Sequence, residues 1–276
     1  MNLTTKELIS LLELYKDFGI EDFLENKPIN RLNSNNNYDL FEKKSVKSSP
    51  QNHTPTPPSS QPTNITSVID AELPNYTKGL VEKINSVEEL EKTVLSFRHL
   101  SICKTATKTV FADGNRQAKV MLVGEAPGEQ EDLQGIPFCG ESGQLLNTAL
   151  SYIGLLREKN LYITNSVFWR PPGNRKPSDF ELSVCEAFVE KHIALINPKV
   201  IIFCGATSAN FFLKNDSGIT QLKNANLTYE NKYLKEKIKA FAIYHPSYLL
   251  RQPMKKKEFW LDLLKMQGEI KGLLNT

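Results

Sequence analysis

The stretch Lys119-Val-Met-Leu-Val-Gly-Glu-Ala-Pro-Gly-Glu-Gln-Glu-Asp132 decides the fold of this chain. Its apolar run, Val120–Val123, is typical of a strand that is buried on both faces. The chain then turns sharply through a segment that contains two glycines and a proline. Four acids crowd this turn without a neighbouring Lys or Arg: Glu125, Glu129, Glu131 and Asp132. Since open α/β sheets bind ligands at the carboxyl ends of their strands, the turn is either a candidate site or an ordinary solvated loop.

Further apolar runs continue this pattern towards the C-terminus. They predict strands at Leu161–Val167, Val200–Cys204 and Ala240–Tyr244, separated by helical segments at about 142–155 and 178–196 and by a short helix that ends near residue 213. Single helices between strands indicate a parallel sheet with right-handed crossovers. The predicted fold is therefore α/β, a three-layer α/β/α sandwich around a central four-stranded parallel sheet.

This topology brings the carboxyl ends of all four strands to one edge of the sheet. The edge collects the acidic turn, Asn165, the loop Arg170–Arg175, Gly205 and His245. We therefore expect these distant residues to form one site.

The N-terminal quarter of the chain differs in composition from the remainder. Residues 1–27 carry apolar side chains at helical spacing and predict a short amphipathic helix, which either docks on its own domain or binds an unknown partner. Residues 28–64 are rich in Asn, Pro and Ser, and cannot bury enough apolar surface to offset their chain entropy. We predict a disordered linker there, followed by one α/β domain over residues 65–276.

Composition excludes several classes of protein. No apolar run approaches the roughly 18 residues that span a bilayer, and the N-terminus lacks a secretory signal pattern. The four cysteines form no C-x-x-C pair, which indicates reduced thiols rather than a disulfide framework. We therefore expect a cytoplasmic protein without a membrane partner. Its net charge of +3 permits a local nucleic-acid-binding patch without requiring one.

Five motifs occur in one order along the chain: Gly-Glu-Ala-Pro-Gly-Glu-Gln-Glu-Asp, Pro-Phe-Cys-Gly-x-Ser-Gly-Gln-Leu-Leu, Ile-Thr-Asn, Arg-Pro-Pro-Gly-Asn-Arg and His-Pro-Ser-Tyr-Leu-Leu-Arg. Together they resemble the family 4 uracil-DNA glycosylases, over about Phe97 to Leu264. The resemblance implies a monomeric enzyme that acts on uracil-containing DNA, single- or double-stranded. Such an enzyme hydrolyses the N-glycosidic bond of uracil and leaves an abasic site.

The resemblance also implies roles for individual residues. Phe138 corresponds to the aromatic platform on which uracil stacks, and Gly124 belongs to the same uracil-binding group. Asn165 corresponds to the amide that reads the uracil edge, in a pattern that cytosine does not match. His245 corresponds to the donor that stabilises charge on a uracil carbonyl as the base leaves.

Three acids compete for the remaining catalytic role. Glu131 matches the position of the residue that activates water or stabilises the sugar cation, while Glu125 and Asp132 are neighbouring candidates that the sequence does not separate. The expected DNA-binding residues include an apolar wedge with a flanking cation. They are Arg170, Arg175, Ser247, Leu249, Leu250 and Arg251.

The chain departs from the family at its metal site. Family 4 enzymes usually hold a [4Fe–4S] cluster on four cysteines, and three of those positions fall here at Phe97, Leu100 and Trp169, with Cys103 three residues out of register. Of the four positions, only that of Cys185 keeps its cysteine. We therefore expect no cluster and no other metal, and an apolar plug in its place.

Two other functions are compatible with parts of the sequence. The first is a non-catalytic DNA-binding module of the same fold, acting beside a DNA polymerase. The second is a nucleotide-binding protein that cradles phosphate in the turn after the first strand. The second is poorly supported, because that turn lacks the Lys and Ser/Thr of a P-loop and its acids would repel phosphate.

Overall fold

A computed structural model of the chain describes residues 65–274. The predicted N-terminal helix and linker, residues 1–27 and 28–64, lie outside the described residues. No described helix is both long and apolar enough to cross a membrane.

The predicted strands pair into one mixed sheet. Four central strands run parallel in the order β3-β2-β4-β6, and a short antiparallel strand flanks each side, β1 beside β3 and β5 beside β6. The strands are β1 Ala112–Gly114, β2 Val120–Gly124, β3 Leu161–Asn165, β4 Val200–Cys204, β5 Leu227–Tyr229 and β6 Ile238–Ile243. The α/β class was therefore predicted correctly.

The expectation of a four-stranded, purely parallel sheet was wrong. Strands β1 and β5 have three residues each, too few for an alternating pattern to stand out, and β1 is half-buried throughout. Their structure comes from pairing with β3 and β6. The predicted second strand was also too long, because the chain turns at Ser166, whose backbone N–H and hydroxyl both donate to the Gly124 carbonyl, at 2.9 and 2.7 Å.

Ten described α-helices surround the sheet, and several begin where the sequence predicts. Ser178 caps α6 by accepting from the Glu181 N–H, while the Glu181 carboxylate accepts from the Ser178 N–H in return. The helices are α1 Ile65–Glu82, α2 Val87–Ser96, α3 Ile102–Thr105, α4 Glu129–Gln134, α5 Glu141–Tyr152, α6 Asp179–Ile196, α7 Ala206–Leu213, α8 Ile219–Leu222, α9 Pro246–Arg251 and α10 Lys256–Leu274.

The sheet buries side chains on both of its faces. Met121 and Val123 of β2, with Ile201 and Phe203 of β4, belong to one core that includes buried residues of α1, α2 and α6. Away from this core, α5 contacts α9 and α10, and α10 also contacts β6. All five residues of β2, β3 and β4 are buried, as the uninterrupted apolar runs of β2 and β4 predict.

His192 is a structural residue in this core. Its ring stacks on Phe111 with centroids 4.4 Å apart, and its Nε2 lies 3.0 Å from the Tyr162 hydroxyl. Burial lowers its pKa to about 3, so the ring is neutral near pH 7. His192 is fully buried, and does not line the cavity described below.

Candidate active site

A cavity of about 740 Å³ opens at the carboxyl ends of the parallel strands. Its walls come from the turn after β2, from Asn165 at the end of β3, from Gly205 after β4 and from His245 after β6. The loop before α6 and helix α9 complete the rim. These segments are far apart in sequence, and the parallel topology brings them to one edge of the sheet.

Phe138 and Asn165 form the inner end of this cavity, on either side of Gly124. A Cβ atom on Gly124 would lie 2.5 Å from the Phe138 ring and 2.3 Å from Asn165 Oδ1, so only glycine fits between them. Asn165 is 1% exposed, and its Oδ1 has no hydrogen-bond partner among the described residues. An unpaired buried acceptor costs about 1–3 kcal/mol, so this arrangement is typical of a site that a ligand completes.

His245 lines the same cavity at the N-terminus of α9. Its ring centroid lies 5.8 Å from that of Phe138. Nδ1 accepts a hydrogen bond from the Ser247 N–H at 3.3 Å and lies 2.8 Å from the Ser247 hydroxyl. Burial lowers the pKa of His245, although Glu125 nearby opposes this effect. With Nδ1 acting as an acceptor, the neutral ring carries its proton on Nε2, which is then a donor.

The structure separates the three candidate acids. The Asp132 carboxylate accepts from the backbone N–H groups of Thr107 and Lys108, at 2.8 and 3.1 Å. It is 4% exposed and does not line the cavity. Asp132 therefore fixes the segment before β1, and its geometry does not support a catalytic role.

Glu131 and Glu125 both line the cavity, but their environments differ. One Glu131 oxygen accepts from the Gly128 N–H at 3.1 Å and the other from the Gly140 N–H at 2.9 Å, so this carboxylate joins the acidic turn to the loop that carries Phe138. Glu125 is half-buried, and no hydrogen bond to its carboxylate occurs within the described part of the chain. Glu125 is therefore the acid with the more available oxygens.

This combination of fold and cavity agrees with the comparison against known families. A sequence model of the uracil DNA glycosylase superfamily matches residues 111–264, more than half of the chain. The chain belongs to the uracil-DNA glycosylase superfamily. All the cavity residues described above lie within the matched part.

Curated proteins of two kinds are similar to this chain. The Type-4 uracil-DNA glycosylase of Archaeoglobus fulgidus is 37% identical over 191 residues, which cover 68% of this chain and 95% of the relative. The Type-4 uracil-DNA glycosylase of Thermotoga maritima is 38% identical over 177 residues, which cover 64% of this chain and 86% of the relative. A DNA polymerase of Bacillus phage SP01 is 27% identical over 165 residues, covering 60% of this chain but 17% of the polymerase.

The residues expected to bind DNA do not all reach the cavity rim of this superfamily member. Ser247 and Arg251 line the cavity, and Arg251 is exposed without an ion pair among the described residues. Arg175 also lines it, but its guanidinium forms two hydrogen bonds to the Glu181 carboxylate, at 2.8 and 2.6 Å. Arg170 lies outside the cavity lining, and its Nε donates to the Asn174 side chain at 2.7 Å.

The expected apolar wedge is not available in this structure. Leu249 lies in helix α9 rather than in a loop and is fully buried, while Leu250 is half-buried. Leu249 therefore does not reach the surface in this conformation. The 3₁₀ turn that follows α9 carries Met254, which is 90% exposed.

The four positions assigned from the sequence to the family's cluster cysteines lie in one buried core. Phe97 and Trp169 stack with centroids 5.7 Å apart, and Leu100 and Cys185 are buried beside them in the same core. Burial raises the pKa of the Cys185 thiol, and the nearby thiol of Cys103, which is also buried, raises it further. No group of three or more potential metal-binding side chains occurs within residues 65–274.

Sequence reasoning missed one residue of this site, Arg157. Its guanidinium donates to the carbonyl oxygens of Pro137 and Phe138, both at 2.6 Å. Arg157 lies between α5 and β3 in a polar segment whose pattern gives no indication of this contact. Only the fold brings it against the loop 19 residues earlier.

Proposed function

We propose that this protein hydrolyses the N-glycosidic bond of uracil in DNA and leaves an abasic site, as a step of base excision repair. One observation carries the proposal: a buried, unpaired amide oxygen on Asn165 faces a cavity that also contains Phe138 and a neutral His245. The names of the Type-4 relatives support the same activity.

In the proposed mechanism the target nucleotide leaves the base stack and its uracil enters the cavity. The ring stacks on Phe138, which is worth about 1–3 kcal/mol. Asn165 Oδ1 accepts from the uracil N3–H, and its amide group donates to a carbonyl. The Nε2–H of His245 donates to the other carbonyl, where negative charge develops as the bond to the sugar breaks. The neutral imidazole donates this hydrogen bond from Nε2 without any change in its protonation state.

As the N1–C1′ bond breaks, uracil leaves with the electron pair and the sugar acquires positive charge. We propose that Glu125 stabilises this charge, orients the water that attacks C1′ and accepts the proton that the water releases. Glu125 lines the cavity with free carboxylate oxygens, whereas Glu131 holds two backbone N–H groups. This proposal differs from the expectation for Glu131 drawn from the family pattern.

Substitution of each acid by glutamine tests this division of roles. Glu125→Gln is expected to lower kcat by about 10²-fold or more with little change in Tm. Glu131→Gln is expected to lower Tm, because the glutamine amide has only one oxygen and its NH2 group cannot accept from the second backbone N–H. Leaving that buried N–H unpaired costs about 1–3 kcal/mol. Single-turnover kinetics and thermal unfolding measure the two effects. Full kcat in Glu125→Gln would reject the assignment.

On the DNA side, we propose that the exposed Arg251 and the Ser247 segment bind phosphates beside the flipped nucleotide. Arg170 and Arg175 are expected to contribute less, since Asn174 and Glu181 already engage their guanidinium groups. In a duplex substrate the exposed Met254 is better placed than the buried Leu249 to occupy the space that the base leaves.

Release of uracil from DNA tests the function directly. The protein is incubated with end-labelled oligonucleotides that carry one uracil, as a single strand and in duplexes opposite G and opposite A, and abasic sites are then cleaved with alkali. Cleavage at the uracil position alone is expected, and a matched oligonucleotide with thymine should stay intact. Absence of cleavage with every uracil substrate at high enzyme excess would contradict the proposal.

The alternative function is a DNA-binding module without turnover. The similarity to the phage DNA polymerase is the observation that favours this module, because the matched region is only 17% of that protein and so forms one part of a larger DNA polymerase. Tight binding of uracil-containing or abasic DNA without product would support the module. The enzyme is favoured because the cavity contains Phe138, Asn165, His245 and a free acid together.

We propose that the protein carries no [4Fe–4S] cluster. Such a cluster needs four thiolates, whereas the cluster positions hold Phe97, Leu100, Trp169 and Cys185, and Cys103 would supply only a second thiol. The residues present therefore do not fit the group. We also propose that the protein is a monomer and that it is cytoplasmic, the latter being consistent with four free cysteines.

Iron analysis tests this proposal. Protein purified without oxygen is expected to contain close to zero iron per chain and to show no broad absorption near 400 nm. Anaerobic incubation with iron and sulfide, followed by desalting, controls for loss during purification and should leave the protein colourless. About four irons per chain before or after this treatment would show that the assignment of the four positions is wrong.

A further inference from the structure

Phe138 adopts a backbone conformation that its own side chain disfavours. Its φ is +53°, in the left-handed region where a bulky residue is a genuine outlier. Residues in such conformations cost of order 1–3 kcal/mol and persist only where their surroundings hold them. Since the ring of Phe138 lines the cavity, whatever holds this backbone also sets the position of the ring.

Arg157 makes the most direct contact with this strained backbone. One guanidinium nitrogen donates to the Phe138 carbonyl at 2.6 Å, and another donates to the Pro137 carbonyl at 2.6 Å. Hydrogen bonds from a charged donor are about twice as strong as neutral ones. Arg157 therefore holds two successive carbonyl groups of the platform loop.

The guanidinium is itself fixed by two further elements. Its Nε donates to Asn147 of α5 at 3.0 Å, and a terminal nitrogen pairs with Asp113 of β1 at 2.9 Å. The Arg157 side chain is 16% exposed, so the guanidinium is largely shielded from solvent, while the Asp113 side chain is 41% exposed. Gly143 of α5 completes the arrangement, because a Cβ there would lie 2.0 Å from the Phe138 carbonyl oxygen.

We propose that Arg157 is a positioning residue for base recognition: it holds Phe138 in the conformation that stacks on the flipped base, and Asp113 and Asn147 orient Arg157. This inference rests on the proposed function and adds a residue that lies outside the cavity lining. Only the guanidinium has enough donors in a fixed fork to reach both carbonyls and both side chains.

A double-mutant cycle tests the proposal. Phe138→Ala is expected to reduce kcat/KM by about 5- to 150-fold, the loss of one stacking contact. Arg157→Ala should cause a loss of similar size, and Arg157→Lys an intermediate one. In the Phe138→Ala background, Arg157→Ala should change kcat/KM by less than about twofold, because the group through which Arg157 acts is gone. Arg116→Ala removes another ion-paired arginine, which contacts Glu88 and Glu91, and should leave kcat/KM unchanged.

Two measurements keep the result interpretable. Losses that multiply across the cycle would overturn the proposal, since Arg157 would then act independently of Phe138. If Arg157→Ala does not fold, Asp113→Asn takes its place in the cycle, because this substitution removes only one partner of Arg157. Its effect on kcat/KM is likewise expected to disappear in the Phe138→Ala background. The cycle is also run on binding of a uracil-containing oligonucleotide. An inactive parent with coupled binding losses would contradict the glycosylase activity and still support the role of Arg157.

Discussion

Asn165→Asp is expected to lower uracil release by about 10²- to 10³-fold, the loss typical of removing one preorganised donor at a developing charge. The substitution removes the amide donor and introduces a negative charge at a position that is 1% exposed. Phe138 and Gly124, which lie next to Asn165, offer no cation to pair with that charge. Single-turnover kinetics on a single-stranded substrate measure the effect without the contribution of duplex opening.

Asn174→Asp is the matched control for this experiment. Asn174 lines the same cavity but is exposed at its rim. The substitution therefore adds the same charge away from the buried position of Asn165. Its activity should remain within a few-fold of the parent. Equal losses in both variants would show that charge in the cavity, rather than the amide of Asn165, explains the effect. Parental activity in Asn165→Asp would reject Asn165 as the base reader.

Trp169→Ala is expected to destabilise the protein by about 3–5 kcal/mol, the usual cost of removing a fully buried aromatic side chain. Trp169 is 1% exposed, stacks on Phe97, and donates from its Nε1 to the Thr109 hydroxyl at 2.9 Å. Its removal would leave a cavity in the core around Phe97. Chemical denaturation at a fixed temperature measures the free energy of unfolding.

Trp169→Phe separates packing from hydrogen bonding at this position. It keeps most of the aromatic bulk and loses the bond to Thr109, so a cost of about 1–3 kcal/mol is expected for the unpaired partner and the smaller ring. Leu261→Ala, at a side chain that is 57% exposed, should change stability by less than about 0.5 kcal/mol. A loss below about 1 kcal/mol in Trp169→Ala would contradict the role of this residue in the core.

Several features of the fold followed from local sequence. Strand β4, Val200–Cys204, was predicted with correct boundaries because a continuous apolar run between polar segments has few other structures available. Helix α6 lies within the predicted segment 178–196, and its capping box at Ser178 and Glu181 is a local exchange of hydrogen bonds that needs no distant partner. By contrast, the acidic segment 129–134 was taken as a loop, because its short helix has no apolar periodicity and buries only Glu131 and Asp132.

The short edge strands could not be predicted in the same way. Strand β1, Ala112–Gly114, has no apolar alternation and exists because β3 offers unpaired backbone groups at the correct spacing. Strand β5 depends on β6 for the same reason. Pairing of this kind is a property of the assembled sheet, and a three-residue segment does not encode it.

The family resemblance assigned Phe138, whereas the sequence pattern by itself determined the α/β class and the convergence of the strand ends that brings Asn165 and His245 to one cavity. It did so because buried strands and their order leave few topologies, and topology fixes which ends meet. Only the tertiary structure showed that the three neighbouring acids have different hydrogen-bond partners and that Leu249 is buried. It also brought Arg157 against the loop that carries Phe138. Such differences depend on which direction a side chain faces and which distant backbone groups it meets, and these are decided by packing between elements rather than by local pattern.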